Sequence, residues 1–441
     1  MSRRRLTRAV KSSIAFGLRP ASFSFATPWA FGVVFGLAML ALAGCQLGPA
    51  APPATAGSAA PPHHTAEGFK NNYVGTVNRP FTDLLRWKWA AWQAGDPQTP
   101  QSPVPTQAPD LAFLQRNAST GAGQVPAVTW IGHATTLVQA NGLNVLTDPI
   151  FSDRAFPVQW AGPKRAQPPG VLLADLPPID VAVISHNHYD HLDKNSVVAL
   201  DRRSKAASAD GTGQTLFLVP LGLKAWFNAQ GIHKVVELDW WQGVRVLRGP
   251  DGALQLSALP APPSASNAMS TEQVGADFFL TPVQHWSARS FNDRSHTLWG
   301  GWSVFGPKFN WYFSGDTGYS PDFADTRRRF AALGRSTPGQ AQPGQTQPAP
   351  LFDLALLAIG AYEPRWFMAQ QHINPAEAVQ IHQDLGAALS VGIHWGTFEL
   401  TDEALDQPPL QLAAARQAAG LPDHAFVVLK IGQTLQPAGL R

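Results

Sequence analysis

Cysteine is almost absent from this chain, because Cys45 is the only one in 441 residues. A single cysteine excludes an internal disulfide and leaves a metal site with no thiolate ligands. Charged residues are also scarce, at 14% of the chain. Residues 1–44 hold six basic residues and no acidic one; without them 27 basic residues stand against 30 acidic ones, a net charge of −3. The sequence indicates no basic face, so we expect no nucleic-acid partner.

The N-terminus has the pattern of an export signal. A basic start leads into an apolar stretch from Trp29 to Leu40, and this is followed by Leu42-Ala43-Gly44-Cys45. Charge, apolar run and small residues in that order are typical of a signal peptide, which we predict over residues 1–44. The ending resembles a bacterial lipobox, which implies lipidation of Cys45.

Lipidation would make the protein a lipid-anchored component of the bacterial cell envelope, at the outer membrane or the periplasmic face, with Cys45 as its contact to the membrane. An N-terminal transmembrane anchor with a chance cysteine is the alternative. Ser2-Arg3-Arg4-Arg5-Leu6 also faintly resembles a twin-arginine signal, although it lies far from the apolar run.

Two further segments concern the membrane and the surface. Residues 45–68, rich in proline, alanine and glycine, predict a flexible tether that includes His63 and His64. The segment 82–92 predicts a short helix with three tryptophans, which is either an interfacial helix or a helix packed on the domain core. Residues 335–350 predict a low-complexity surface insertion.

The densest group of chemically active residues lies at 185–193. It follows an apolar, β-branched run at 179–184 that predicts a buried strand, and it precedes a helix start at 195. Residues two apart on an extended backbone point the same way, so His186 and His188 can bind one ion. Asp190 and His191 come as the chain turns, and can face a second ion. Imidazole and carboxylate ligands suit zinc.

Other predicted strands also end in histidine or aspartate. They deliver His285, Asp316 and His394, and together with the central group they offer five histidines and two aspartates. That set suffices for two ions with three protein ligands each and a bridging carboxylate. Asp148, which also follows a strand, is expected to be a hydrogen-bonded buried carboxylate. A compact basic turn that contains Lys164 and Arg165 could bind a phosphate group.

In combination, these motifs resemble those of a known protein superfamily. His186-Asn187-His188-Tyr189-Asp190-His191 resembles the HxHxDH signature of the metallo-β-lactamase superfamily. More narrowly, the chain resembles the N-acylphosphatidylethanolamine-hydrolysing phospholipase D family over roughly residues 70–435. The matching pieces are 129–135, 147–151, 162–165, 185–193, 284–286, 315–319, 363–368 and 394–398.

The resemblance implies an α/β fold, an αββα sandwich of two facing mixed β-sheets with outer helices, in a hydrolase domain over residues 69–441. It implies two Zn²⁺ ions at one edge of the sheets. His186, His188 and His285 would bind the first ion and Asp190, His191 and His394 the second, with Asp316 bridging. Asp190 and Asp316 would thereby act in catalysis. Gln371 and His372 match a position beside the site, which implies substrate binding for Gln371 and catalysis for His372.

The expected activity is zinc-dependent hydrolysis of a membrane phospholipid. Two ions roughly 3.5–4 Å apart share a water and lower its pKa, so a metal-bridged hydroxide serves as nucleophile on a phosphodiester. The product would be phosphatidate. Two alternatives stay open: a metallo-hydrolase of a lactone or other acyl substrate, and a non-catalytic lipid-binding envelope lipoprotein. The oligomeric state is left open.

Overall fold

The computed structural model describes residues 60–95, 97–259, 269–333 and 350–437. The predicted signal peptide, Cys45 and residues 46–59 lie outside the described residues, as does the 335–350 insertion except for Pro350. The described residues all belong to one compact unit. None of the helices in the described part of the chain is long and apolar enough to cross a bilayer.

The described chain contains both helices and runs of consecutive strands. The helices longer than three residues are α1 (Phe81–Ala94), α2 (Leu111–Ala118), α3 (Lys194–Ala207), α4 (Lys224–Ala229), α5 (Asp322–Phe330), α6 (Arg365–Met368), α7 (Pro375–Leu385) and α8 (Gln407–Ala418). The strands are β1 (His64–Thr65), β2 (Gly68–Phe69), β3 (Ala127–Gly132), β4 (Thr135–Ala140), β5 (Leu143–Thr147), β6 (Val181–Val183), β7 (Leu216–Pro220), β8 (Val235–Leu238), β9 (Gly243–Arg248), β10 (Leu254–Leu259), β11 (Gly275–Thr281), β12 (Gly301–Phe305), β13 (Trp311–Phe313), β14 (Leu354–Ala358), β15 (Ser390–Ile393), β16 (Phe426–Val428) and β17 (Thr434–Leu435).

Apart from the β1–β2 hairpin, the strands form two mixed sheets. The eight-stranded sheet has the order β10-β9-β11-β12-β13-β14-β15-β16, and the seven-stranded sheet has the order β17-β3-β4-β5-β6-β7-β8. In the first sheet the strands from β13 to β16 pair in parallel, and in the second those from β5 to β8 do. The remaining pairs are antiparallel.

The period-two geometry of the strands places core residues on both faces of the seven-stranded sheet. In β6, Val181 and Val183 join the large core that also contains residues of the other sheet, whereas Ala182 joins a second core with α2, α3 and α4. A strand buried on both faces carries no polar alternation, which is why 179–184 is a continuous apolar run. Helices α5, α7 and α8 contribute side chains to the large core. The predicted αββα sandwich is confirmed.

Residues 61–77 pack onto the domain. The Phe69 N–H donates to the Ser295 carbonyl oxygen, and Phe69 belongs to the large core. His63 is buried and His64 is partly exposed, and both rings bond the carboxylate of Asp239. The sequence placed the two histidines in a flexible tether, and for them that placement is wrong. The two rings are held by Asp239, which lies 175 residues after His64. Local composition does not reveal so distant a partner.

Helix α1 confirms the helix predicted over 82–92, and it has features of both alternatives. Trp87 is buried against Phe367 of α6, with ring centroids 5.0 Å apart. An apolar stripe lies on the outer face of the helix: Leu85, Trp89 and Trp92 are 53%, 60% and 56% exposed. The helix therefore packs on the domain through one tryptophan and presents two others to solvent.

Candidate metal centre

Four strands bring the predicted metal ligands to one place. The loop after β6 carries His186, His188, Asp190 and His191, whereas the segments after β11, β13 and β15 carry one ligand each, His285, Asp316 and His394. All seven side chains gather, although they are spread over about two hundred positions. The strand ends lie at one edge of the sandwich, where connecting loops can hold a site on a rigid scaffold.

The first donor group consists of three histidines. His186 Nε2 lies 2.8 Å from His188 Nδ1, and His188 Nδ1 lies 3.3 Å from His285 Nε2. Three imidazole nitrogens at such separations are suited to one divalent ion.

The second donor group joins Asp190, His191 and His394. Asp190 Oδ2 lies 3.3 Å from His191 Nε2 and 3.5 Å from His394 Nε2, and the two ring nitrogens are 3.2 Å apart. One carboxylate and two imidazoles again match the ligand preference of zinc and related ions.

Asp316 lies between the two groups. Its Oδ2 is 3.1 Å from His191 Nε2 and 4.0 Å from His186 Nε2, and its Oδ1 is 3.1 Å from His394 Nε2. Oδ1 has no hydrogen-bond donor within the described residues. A carboxylate in this position can bridge two cations.

Outer partners fix which ring nitrogen of three histidines carries hydrogen. The Ser185 hydroxyl donates to Asp148, so it must accept from His186 Nδ1, 2.9 Å away. His191 Nδ1 donates to Asp148 at 2.6 Å, and His285 Nδ1 donates to the carbonyl oxygen of Gln371 at 2.9 Å. In the neutral form of each ring, Nε2 therefore carries a lone pair that points at the centre. Asp148 is confirmed as a buried, hydrogen-bonded carboxylate.

This chemistry fits a metal. Lone pairs and carboxylates that converge in a buried space repel each other unless positive charge lies among them. Divalent ions supply that charge, and they require ligands that are already deprotonated. The residues present would hold a metal as the resemblance implies.

The pKa values differ between the two donor groups. Burial lowers the pKa of His186 and His285 well below the usual histidine value, and it lowers that of His188 to about 3. Burial alone would also lower the pKa of His394, but Asp316 and Asp190 raise it to about 9. Burial would act likewise on His191, but the same carboxylates raise its pKa well above the usual value. The first group is ready to bind as neutral rings, and the second attracts positive charge.

His133 belongs to the site, although the sequence analysis gave it no role. Its Nε2 donates to Asp190 Oδ2 at 2.9 Å, and its ring centroid is 3.9 Å from that of His394. Burial, together with His394, lowers its pKa to about 3, so the ring is neutral. The signal was present: His133 directly follows β3, as the other site residues follow their strands.

Asn71 was also missed, and it fixes the backbone of His285. Its Oδ1 accepts from the His285 N–H, and its Nδ2 donates to the His285 carbonyl oxygen, both at 2.9 Å. The same side chain bonds Gly75 and the Trp299 indole. An asparagine 214 residues away from its partner carries no sequence signal of this role.

Gln371 and His372 lie beside the centre as the sequence predicts. The Gln371 side chain accepts from the Trp286 indole at 2.8 Å, so its contact with the site is the backbone carbonyl that holds His285. His372 Nδ1 lies 3.8 Å from Asp316 Oδ2 and has no hydrogen-bond partner within the described residues. His372 is therefore free to hold a proton at that atom.

The basic turn is divided between surface and interior. Lys164 is exposed, whereas Arg165 is buried. The Arg165 guanidinium donates to the carbonyl oxygens of Ile150 and Ser152 and lies 5.0 Å from the Phe398 ring centroid. Arg165 thus ties the 150–165 loop to the site edge, and only its Nη1 has no partner within the described residues.

The chain is similar to known proteins over most of this region. Residues 143–395 match the model of the beta-lactamase superfamily domain. The chain is 38% identical over 312 residues to N-acyl-phosphatidylethanolamine-hydrolyzing phospholipase D 1 of Caenorhabditis elegans, covering 69% of this chain and 74% of that protein. It is 31% identical over 302 residues to the mitochondrial N-acyl-phosphatidylethanolamine-hydrolyzing phospholipase D of Saccharomyces cerevisiae, covering 68% and 53%. A solved metallo hydrolase of Ignicoccus hospitalis has a TM-score of 0.43 at 17% identity, covering 70% of this chain and 97% of that one.

Proposed function

This chain is a metallo-hydrolase of the metallo-β-lactamase superfamily and belongs to its N-acyl-phosphatidylethanolamine-hydrolysing phospholipase D family, and on that basis we propose that it is a zinc-dependent phosphodiesterase of a membrane phospholipid. The family implies a divalent metal. Zinc, two ions and a phospholipid substrate are the proposed details. The reaction would cleave the phosphodiester on the headgroup side and leave phosphatidate.

The position of Asp316 is the observation that carries the proposal. Its carboxylate lies within 3.1 Å of His191 and His394 and 4.0 Å from His186, so one residue adjoins both donor groups. When bound, two ions supply Lewis acidity that lowers the pKa of a water and offsets negative charge on the phosphodiester. The outer partners Ser185 and Asp148 keep the donor rings in one orientation, which spares reorganisation during turnover.

The charge of the donor set favours an anionic substrate. Five neutral imidazoles and two carboxylates contribute two negative charges, so two zinc ions would leave the site net positive. His372 would hold or pass a proton beside Asp316, because its Nδ1 has no competing hydrogen bond among the described residues. We propose that His372 passes a proton to the leaving group or takes one from the incoming water.

The outer face of α1 supports a membrane substrate. Trp89 and Trp92 are exposed side by side, with ring centroids 5.1 Å apart. Arg86 lies over the ring of Trp366 at 5.1 Å. Tryptophan beside cationic residues is typical of surfaces that contact the lipid–water interface. Helix α1 packs on α6, which is followed within four residues by His372, so this face would lie on the same part of the domain as the metal centre.

The test is hydrolysis of defined lipids by the purified full chain loaded with Zn²⁺, read by mass spectrometry in ¹⁸O water. Attack at phosphorus puts the label in phosphatidate and none in the headgroup alcohol. The substitution Asp316→Asn should reduce turnover by more than about 100-fold, beyond the effect of losing an outer partner of a ligand. The fully exposed Asp210 gives the matched control Asp210→Asn, which should retain turnover.

Three outcomes would contradict the proposal. Unchanged turnover in Asp316→Asn would show that Asp316 has no essential bridging role. Opening of a lactone with no cleavage of any phospholipid would favour the acyl-hydrolase alternative. Stoichiometric zinc with no hydrolysis across the lipid panel would favour a lipid-binding protein.

A further inference from the structure

A separate group of metal-type donors lies where the N-terminal hairpin meets the domain. His63 Nε2 lies 2.6 Å from Asp239 Oδ1, and His64 Nε2 lies 2.8 Å from Asp239 Oδ2. The three donor atoms are within 4.8 Å of one another. None of these residues belongs to the candidate metal centre.

The surroundings hold this group in place. Asp239 Oδ1 also accepts from the Trp240 N–H at 2.7 Å, and the Asp239 N–H donates to Gln242 Oε1 at 3.0 Å. The Trp240 ring packs on His63 with centroids 4.4 Å apart. The His63 and Asp239 side chains are buried, whereas the His64 side chain is 24% exposed. An ion could therefore enter from the His64 side.

We propose that His63, His64 and Asp239 form an additional divalent-cation site, for an ion of the borderline transition-metal class to which Zn²⁺ belongs. Two imidazoles and one carboxylate are a ligand set that such ions prefer, with an open position left for water. The donor separations of 2.6 and 2.8 Å need to widen by about half an ångström to accept bonds of about 2.0–2.1 Å to a common ion. Two adjacent residues of a short hairpin can make that shift.

The role of this ion is to stabilise the contact between the β1–β2 hairpin and the rest of the domain. The same N-terminal segment carries Asn71, which bonds both backbone groups of His285. An ion held by His63 and His64 would stabilise the segment that positions a ligand of the candidate metal centre. Without an ion, His63 and His64 are joined to Asp239 by one hydrogen bond each.

The zinc content of the full chain tests the proposal against its matched variant His64→Gln. A glutamine amide can still donate a hydrogen bond to Asp239, so the variant keeps the hydrogen bond between residue 64 and Asp239 and removes the imidazole ligand. After stripping, reloading with Zn²⁺ and gel filtration, the wild-type chain should carry roughly one equivalent more than the variant. Equal zinc content in the two chains would overturn the proposal.

Two additions make the test independent of the proposed function. The comparison is repeated in the His186→Gln background, where a donor of the candidate metal centre is lost; the difference of one equivalent should persist, and its disappearance would assign the ion to that centre instead. Crystals of the wild-type chain at saturating Zn²⁺ should show a zinc anomalous-difference peak among the three side chains. A map without that peak would refute the site even if His64→Gln fails to fold.

Discussion

At the scale of single residues, several side chains shape the candidate metal centre without being among its predicted ligands. His133 and Asp148 have φ angles of 53° and 32°, and His394, a predicted ligand, has 63°. Positive φ is costly for residues other than glycine, at about 1–3 kcal/mol each, and it persists only where surrounding contacts enforce it. Here the contacts include backbone hydrogen bonds: the His394 N–H donates to the His133 carbonyl oxygen, and the Asp148 N–H donates to that of Val183.

His133 provides a test at this scale. Replacing it with asparagine keeps a residue that tolerates positive φ but removes the donor that reaches Asp190. Loss of an outer hydrogen bond to a metal ligand costs about 10–100-fold in metal affinity, which competition with a chromogenic chelator measures. Because glutamine is long enough to retain the bond, His133→Gln should lose less. Equal affinity in wild type and His133→Asn would show that the bond to Asp190 does not matter for metal binding.

At the scale of elements, local sequence predicts most of the units that surround the site. The Asn141-Gly142 turn, with φ angles of 58° and 76°, joins β4 and β5, and Asn-Gly is a strong local signal for a tight hairpin turn. Helix α7 begins with a cap that its local sequence encodes: Asn374 and Glu377 form a capping box, and Pro375 occupies the first turn. These signals lie within a few residues of the structure they determine. The edge strands β16 and β17 lack such signals, since they form only by pairing with distant strands.

The N-terminal segment 61–77 gives a prediction for a part of the fold that local sequence could not place. In Asn71→Asp, an oxygen replaces the amide that donates to the His285 and Gly75 carbonyls. Oxygens that face each other without a proton between them lower the free energy of unfolding by about 1–3 kcal/mol. The midpoint temperature of thermal unfolding should therefore fall. Since His285 is displaced as well, a chelator should remove the first ion faster. A fall in the midpoint with unchanged removal would mean that Asn71 serves stability alone; Asn78→Asp, at an exposed position, is the control.

Helix α7 carries a prediction for pH. Burial lowers the pKa of His382 to about 4, and its Nδ1 lies 2.8 Å from the Ser390 hydroxyl. Between pH 6.5 and about 4 the unfolded chain binds the additional proton, so the free energy of unfolding falls as the pH falls through that window. His382→Gln should make the loss between pH 7 and 5 smaller by about 1–2 kcal/mol, measured by urea unfolding. The exposed His424 supplies the control His424→Gln, and identical slopes in all three chains would be the contrary result.

At the scale of the whole molecule, the proposed lipid anchor and the outer face of α1 would act on the same membrane. The test uses the Cys45→Ser background, so that lipidation cannot mask the contribution of the helix. Substituting Trp89 and Trp92 by serine should weaken partitioning onto phospholipid vesicles by roughly tenfold or more, because burying two tryptophans contributes more than about 1.4 kcal/mol. Trp160, equally exposed at 67% but outside α1, gives the control Trp160→Ser. Equal partitioning of all chains would exclude α1 from membrane contact.

At this scale, the meeting of the candidate ligands can be predicted from the sequence, whereas the contacts of the N-terminal segment with the site cannot. The seven candidate ligands follow predicted strands, and strand ends of one sandwich share an edge, so their meeting is predictable. Asn71 acts through a contact with His285, and His63 through one with Asp239, over separations of 214 and 176 residues. No periodicity or motif encodes such pairs. They follow from how the two sheets and the N-terminal segment pack.

The spread of the seven donors along the chain sets the order of events in maturation. The earliest is at position 186 and the latest at 394, on segments that meet only after both sheets have assembled. The complete donor set therefore exists only after position 394 has been synthesised and the chain has folded, so a chain exported in an unfolded state would leave metal ions behind. The supply of metal that matters is then the one in the compartment where folding finishes.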